Sequence, residues 1–331
     1  MKTLKHIITI VALSLGAVSA NAAGFHHAAD PKKVVGVEGD GSGNCVSCHG
    51  PAVSTWKKTH HFKTFEELEE RETTLALQEK LDIFLITEDE NCTQCHYTMK
   101  NIDDELTAIS GISCESCHGG AKEWNPVHQK IKDNEDPMAL VKAEKLGMIR
   151  PKNYYDVAAN CYSCHTVPNE EIVNKGHKAG SEFELVAWSQ GEVRHNFRAS
   201  QGKENAEAPI ERRRMFYVVG QCLDLEYSIR AVGKATAPGK YLDAMKNRVA
   251  GAQARLQAIQ KLSAIDEVGK ILAAANGLNL APGQAAALNA AADKISALAK
   301  GLSQSRDGTG LAAIDSLLPK AGAYRGAVLN P

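Results

Sequence analysis

Eight of the nine cysteines stand in pairs with two residues between them, and every pair is followed at once by histidine. The four copies are Cys45-Val46-Ser47-Cys48-His49, Cys92-Thr93-Gln94-Cys95-His96, Cys114-Glu115-Ser116-Cys117-His118 and Cys161-Tyr162-Ser163-Cys164-His165. Two thiols one helical turn apart can add across the two vinyl groups of a porphyrin, and the next histidine then offers an imidazole nitrogen to the iron. C-x-x-C-H is accordingly the attachment signature of c-type haem. Two zinc sites of four thiolates, or disulfides in an exported protein, would need no histidine after each pair. Histidine is 12 of 331 residues, so four such placements from composition alone have a probability on the order of one in a million. A thioredoxin-like centre would show one pair in a βαβ setting, not four. Cys45, Cys48, Cys92, Cys95, Cys114, Cys117, Cys161 and Cys164 are therefore the candidates for holding four covalently attached haem c groups. His49, His96, His118 and His165 are the candidate proximal ligands.

The motifs start 47, 22 and 47 residues apart, at Cys45, Cys92, Cys114 and Cys161. The middle interval is too short for a whole domain, so all four copies belong to one compact unit, read as residues 23–200. Only 5% of the chain is aromatic, and porphyrins would supply the flat apolar surface that such a unit otherwise lacks. Its folding is expected to depend on haem, as small metal domains depend on their ion.

Each iron has one further axial position. A sixth ligand closes it and favours electron transfer, whereas an open position admits small ligands. Outside the motifs the candidates are His26, His27, His60, His61, His128, His177 and His195, with Met99 and Met138 as weaker ones. His61, His128 and His195 are the preferred distal ligands, followed by His177. His26 and His27 sit near a loose terminus, and Met99 follows His96 too closely to reach across the same ring.

Residues 1–22 read as a secretory address. Lys2, Lys5 and His6 precede an apolar run from Ile7 to Val18, and Ala20-Asn21-Ala22 gives a small-x-small cleavage site. That run is too short to span a bilayer and no later stretch is apolar for long enough. The mature protein is thus expected to be periplasmic and not membrane-spanning. Lys plus Arg is 38 against 39 Asp plus Glu, a balance that argues against a nucleic-acid partner.

Residues 199–209 are polar and read as a hinge, with 201–209 as the linker and 210–331 as a separate helical domain. Tyr241, Met245, Val249, Ala252, Leu256 and Ile259 recur at helical steps. Other helices are expected near 210–232, 264–275, 282–303 and 310–318, with a stop at Asn276-Gly277 and a restart at Ala281-Pro282-Gly283. A small antiparallel bundle fits this pattern, although the stripes could equally face another subunit. Cys222 reads as a buried small apolar residue, and Arg212-Arg213-Arg214 as a solvated helix face.

The segment from Trp56 through His61 to Phe65, the run from Gly111 to Gly119 and the placement of His128 resemble the cytochrome c-554 family. Its members are tetrahaem electron carriers that accept electrons from hydroxylamine oxidoreductase. The likeness covers about residues 40–200 and is absent from the C-terminal third. It implies three bis-His haems and one high-spin haem without a protein distal ligand, packed as close parallel and perpendicular pairs. At matching positions it implies His61, His128 and His195 as distal ligands, and a five-coordinate haem at Cys92, Cys95 and His96. Two departures stand out: His177 could close that haem, and the chain runs on for more than a hundred residues.

The combined expectation is a mainly α chain, a compact multihaem domain with little regular sheet followed by a helical bundle. Its expected work is relaying single electrons between a redox-protein donor, hydroxylamine-oxidoreductase-like or quinol-linked, and an acceptor. Two other readings stay open at this stage. One is a reductase of nitric oxide or another small nitrogen compound at an open haem, and the other is a subunit of a haem-wire filament.

Overall fold

The computed structural model describes residues 29–39, 44–131, 136–180 and 182–329. The secretory address, with His26 and His27, lies outside the described residues. The chain is mainly α. In order come α1 (Val46–Trp56), α2 (His60–Glu67), α3 (Glu72–Leu81), α4 (Glu90–His96), α5 (Cys114–His118), α6 (Asn125–His128), α7 (Ala139–Lys145) and α8 (Tyr154–His165). They are followed by α9 (Glu170–Lys175), α10 (Leu185–Ser189), α11 (Ile210–Lys234), α12 (Lys240–Ser263), α13 (Asp266–Ala275) and α14 (Ala285–Ser305). Between α4 and α5, strands β1 (Thr98–Ile102) and β2 (Glu105–Ser110) pair antiparallel. Their turn runs through Asp103 and Asp104 at positive φ, a conformation that Asp tolerates better than most residues.

Before Tyr154 the helices are short, and helices of four to eleven residues are marginal by themselves in water. Apolar packing beneath them is thin, with a buried cluster of Val35, Ala121, Trp124 and Ala143. Polar anchors do much of the fixing. Glu115, inside the third motif, is buried and accepts from the backbone N–H of Val35 at 2.9 Å, Gly36 at 2.7 Å and Ala121 at 2.7 Å. One carboxylate thereby ties the N-terminal segment and the chain after α5 to the motif. Glu115→Ala would strand three donors and is expected to cost about 3 kcal/mol or more in denaturant unfolding, with Glu115→Gln losing less. Equal stability of the alanine variant and the parent would refute this role.

From Tyr155 to Leu318 a continuous apolar core takes over. Its axis is α11, buried at every residue from Arg214 to Val232, with α8, α10, α12 and α14 packed around it. The stripe Tyr241, Met245, Val249, Ala252, Leu256 and Ile259 is buried on α12, which packs on α11 within the same chain. It is an internal seam rather than an open subunit surface. Cys222 is fully buried in this core.

Three expectations need correction. The last helix, expected over 310–318, is a 3-10 segment, Thr309–Leu317, kinked at Leu311. Its Asp315 is drawn onto Arg214 by a two-pronged pair at 2.7 and 2.8 Å, so tertiary contacts set its winding. The arginine triplet is not a solvated face, because the C-terminal tail folds over this first turn of α11. Arg214 is 7% exposed, and Arg213 meets Glu207 at 3.1 Å and the Tyr324 hydroxyl at 3.1 Å. The stretch 199–209 is fastened rather than loose. The Asn205 side chain donates to the carbonyls of Arg194 and Leu329, and the Ala208 N–H to Gln190.

Candidate cofactor centre

Each C-x-x-C-H copy is helical in the structure. The first opens α1, where His49 breaks the helical φ/ψ just before Pro51, and the second closes α4. The third is α5 itself, and the fourth closes α8. A three-residue step on a helix sets both thiols of a motif on one face, with the histidine one residue further round.

The histidines are brought together in a repeated way. His49 faces His128 with ring centroids 6.2 Å apart, His165 faces His61 at 6.2 Å, His96 faces His177 at 6.1 Å and His118 faces His195 at 6.2 Å. Every pair joins one motif histidine to one from outside the motifs. Rings in direct contact lie closer, as where Phe183 stacks on His165 at 4.3 Å. The ring planes differ from pair to pair: 10° for His49–His128, 47° for His61–His165, 56° for His96–His177 and 80° for His118–His195. His60 is not among the pairs, since its Nδ1 is held by Glu192 at 2.7 Å. Met138 is half exposed at the start of α7, and Met99 lies in β1.

Several anchors orient these rings. Nδ1 of His118 donates to the Ile149 carbonyl at 2.8 Å, that of His195 to Val193 at 2.8 Å and that of His177 to Lys178 at 2.7 Å. Such a bond fixes the tautomer and leaves Nε2 as a free donor atom for a metal. Trp56 donates to the Ile112 carbonyl at 2.8 Å, and a Cβ on Gly111 would come 2.0 Å from the His61 carbonyl. The tryptophan-to-histidine segment and the Gly111 run are thus one contact that sets His61. Gly180 lies equally close to the His165 carbonyl, which also accepts from Arg248 Nη1 at 2.8 Å.

Burial, and then the facing imidazole, holds His96 and His118 down at about 4 and His165 at about 3. All three are neutral at pH 7, the form that ligates metal. Burial pushes the Cys92 and Cys117 thiols up to about 11.

The thiols give the order of the motifs in space. The Cys45 thiol is hydrogen-bonded to that of Cys114 and the Cys95 thiol to that of Cys164, and Cys117 is within electrostatic reach of Cys161 and Cys164. The first motif therefore adjoins the third, the third the fourth and the fourth the second. Disulfides across Cys45–Cys114 and Cys95–Cys164 would leave Cys48, Cys92, Cys117, Cys161 and every histidine pair without a role.

Residues 44–119 match the family model described as cytochrome c554 and c-prime. The cytochrome c-554 of Nitrosomonas europaea is 28% identical over 137 residues, covering 38% of this chain and 57% of that protein. Residues 44–119, which hold the first three motifs, thus resemble the cytochrome c-554 family. The match spans little more than half the length of that relative, and no solved structure matches the chain.

The resemblance to a c-type cytochrome family implies covalently bound haem c, and the motif residues of this chain fit that group. A metal–imidazole bond is about 2 Å long and the ring centre lies about 1 Å beyond the nitrogen, so two trans imidazoles on one iron stand about 6 Å apart. The observed separations have that value, and each pair has two thiols of its own motif beside it. Among the described residues no three or more of His, Cys, Asp or Glu converge as a metal cluster. The donors come in facing pairs.

The sequence named all eight histidines and offered His177 to the second motif, which His177 faces, but left the other pairings open; His128 faces His49, from the first motif. Sequence reasoning passed over Glu115, Phe183 and Arg248, which act on the motifs from within or behind.

Proposed function

We propose that this protein is a tetrahaem c-type cytochrome of the periplasm that relays single electrons between redox-protein partners. The observation that carries the reading is the fourfold repetition of a motif histidine facing a second histidine at 6.1–6.2 Å. The cysteine pairs hold each haem by thioether bonds, and His49, His96, His118 and His165 are its proximal ligands. His128, His177, His195 and His61 are the respective distal ones. Each group supplies an iron that alternates between ferric and ferrous states. Two imidazoles without methionine favour a low potential.

The chain's own contribution is to hold ligands still and to keep the sites adjacent. The backbone-anchored rings of His118, His177 and His195 have little freedom to swing away, which suits a carrier that changes charge without changing ligands. The thiol neighbours support a run of sites in the order first, third, fourth and second. His177 opposite His96 weighs against the reductase alternative, because it leaves that site no open axial position.

The second site lies at one end of the run. Between Glu66 and Glu90 there are ten carboxylates against Arg71 and Lys80, and Phe84 on the loop before α4 is 90% exposed. These features support a partner that approaches with a basic face, giving a rate that falls as salt rises. Donors of the hydroxylamine-oxidoreductase or quinol-linked kind remain the expected class.

The test is the intact mass of the exported protein together with its ferric paramagnetic resonance spectrum. Four added tetrapyrroles and only low-spin signals are expected. Parallel imidazoles act on the same iron d orbital and crossed ones on different orbitals, so the 10° and 80° pairs should give distinguishable signals. A polypeptide mass without tetrapyrrole would overturn the reading.

A further inference from the structure

His61 stands in the first turn of α2, where backbone N–H groups have no partner within the helix. One of these donors, the N–H of His60, is taken by the Glu192 carboxylate, 132 residues further along the chain. The same oxygen, Oε1, meets the His60 Nδ1 at 2.7 Å. The Glu192 side chain is 7% exposed although the His60 ring is mostly in solvent, so α2 is held from the packed side. A carboxylate at this end of a helix also complements the helix dipole. With Gly111 against the His61 carbonyl, the backbone is gripped just before and just after the His61 side chain.

Glu192 is itself braced. Its N–H donates to the Arg325 carbonyl at 2.9 Å, and the Arg325 N–H donates to the Ala187 carbonyl at 3.0 Å. The C-terminal tail therefore crosses the stretch from Ala187 to Glu192 in backbone contact. The approach leaves no room for side chains. A Cβ on Gly191 would lie 2.0 Å from the Arg325 carbonyl oxygen, and one on Gly326, at φ 71°, would lie 2.6 Å from the Glu192 Cβ. The tail is pinned before and after this crossing, by Arg213 on the Tyr324 hydroxyl and by Asn205 on the Leu329 carbonyl. Glu192 and the tail both lie outside residues 44–119, the stretch that matches the cytochrome c554 model.

We propose that Glu192 is the positioning residue for His61, and that the C-terminal tail is the strap that keeps Glu192 in place. This rests on the tetrahaem reading, in which His61 is the distal ligand opposite His165. The last residues of the chain then set how firmly the fourth haem is closed. Without Glu192 the start of α2 frays, as helix ends do when their contacts are few, and His61 leaves its axial position open for part of the time.

The experiment uses the full-length holoprotein as parent, His61→Ala, Glu192→Ala, Glu192→Gln and Gly191→Ala. Intact mass comes first: fewer than four tetrapyrroles in the parent would sink the tetrahaem reading itself, and this proposal with it. With four present, carbon monoxide uptake by the ferrous proteins is followed by difference spectra, and His61→Ala marks the spectrum of the fourth site. The parent should take up none. Glu192→Ala should take up one molecule per chain with that same spectrum. Glu192→Gln, whose amide oxygen still accepts from the His60 N–H, should do so at least about tenfold more slowly. Gly191→Ala should open the same site by displacing the Arg325 carbonyl. A Glu192→Ala protein indistinguishable from the parent, or one that opens at another site, would overturn the positioning role, as would equal uptake by the Gln and Ala variants. A closed Gly191→Ala protein would overturn the strap. Should Glu192→Ala fail to accumulate, Gly191→Ala decides alone: uptake with the His61→Ala spectrum upholds the proposal, and none overturns it.

Discussion

Replacing His177 by alanine is expected to turn a protein that binds no carbon monoxide into one that binds a single molecule per chain. The His177 ring faces His96 at 6.1 Å, and its Nδ1 is bonded to the Lys178 carbonyl at 2.7 Å, so it is aimed as well as near. Both features come from local structure. Asn169 caps α9 by accepting from Glu171 and Ile172, and Gly176, at φ 129°, ends the helix and turns His177 back. A Cβ at Gly176 would lie 3.6 Å from Lys80 Nζ and 4.0 Å from Leu77, so this turn also packs on α3. On the proposed reading, a haem at the second site would then be held by His96 and lack a sixth ligand. Ferric high-spin resonance should appear for one haem in four, with a carbon monoxide difference spectrum of matching size in the ferrous protein. A parent protein that already binds one carbon monoxide would sink this account, and so would an alanine variant that stays low-spin throughout. The first outcome would move the protein toward the small-molecule reductase reading.

Much of this site was legible because its chemistry is local. Two thiols and an imidazole at fixed spacing need only one helical turn, so the C-x-x-C-H copies announced themselves without any knowledge of the fold. The partner histidines were legible as a set, and His177 alone was offered to a particular motif. Which one faces which motif depends on contacts far apart in sequence, such as the Gly111 approach to the His61 carbonyl and the His118 anchor on Ile149. The C-terminal helices show the same division. The α12 stripe and the stop before Asn276 follow from periodicity and turn chemistry, and both are present. The helix expected near 210–232 is present as α11; what periodicity concealed was its burial on all sides, because Gln221, Asp224, Glu226, Ser228 and Arg230 interrupt the apolar pattern. Those residues are tolerated inside because each finds a partner, and a partner from another helix leaves no trace in the local pattern. The polar stretch from 199 to 209 misled for the mirror-image reason: its Asn205 spends its amide on carbonyls rather than on water.

Asp224→Ala should be the most damaging single change in the C-terminal core, at about 3–5 kcal/mol, the cost of leaving a buried charge without its partner. Asp224 is 3% exposed and takes two arginines at once. Its Oδ1 pairs with the Arg248 Nε, and its Oδ2 meets Arg255 at 2.6 Å. The two partners are not equivalent. Arg255 is 41% exposed at the side chain and can turn to water, whereas Arg248 is 2% exposed and has its Nη1 committed to the carbonyls of His165 and Gly180 at 2.8 Å each. Stripped of Asp224, Arg248 must either stay charged in the core or withdraw and release the backbone of the fourth motif. Either course weakens the seam between α12 and the histidine pair His61–His165. Arg255→Gln is the control, expected to cost less than about 1 kcal/mol because a solvent-reachable pair contributes little. Urea unfolding followed by helical circular dichroism measures both, with visible absorbance reporting the fourth haem alongside. If Asp224→Ala and Arg255→Gln unfold at the same midpoint, the carboxylate is not the keystone of this contact. If helix loss and the change in haem absorbance separate into two transitions, the bundle and the fourth motif are not one cooperative unit.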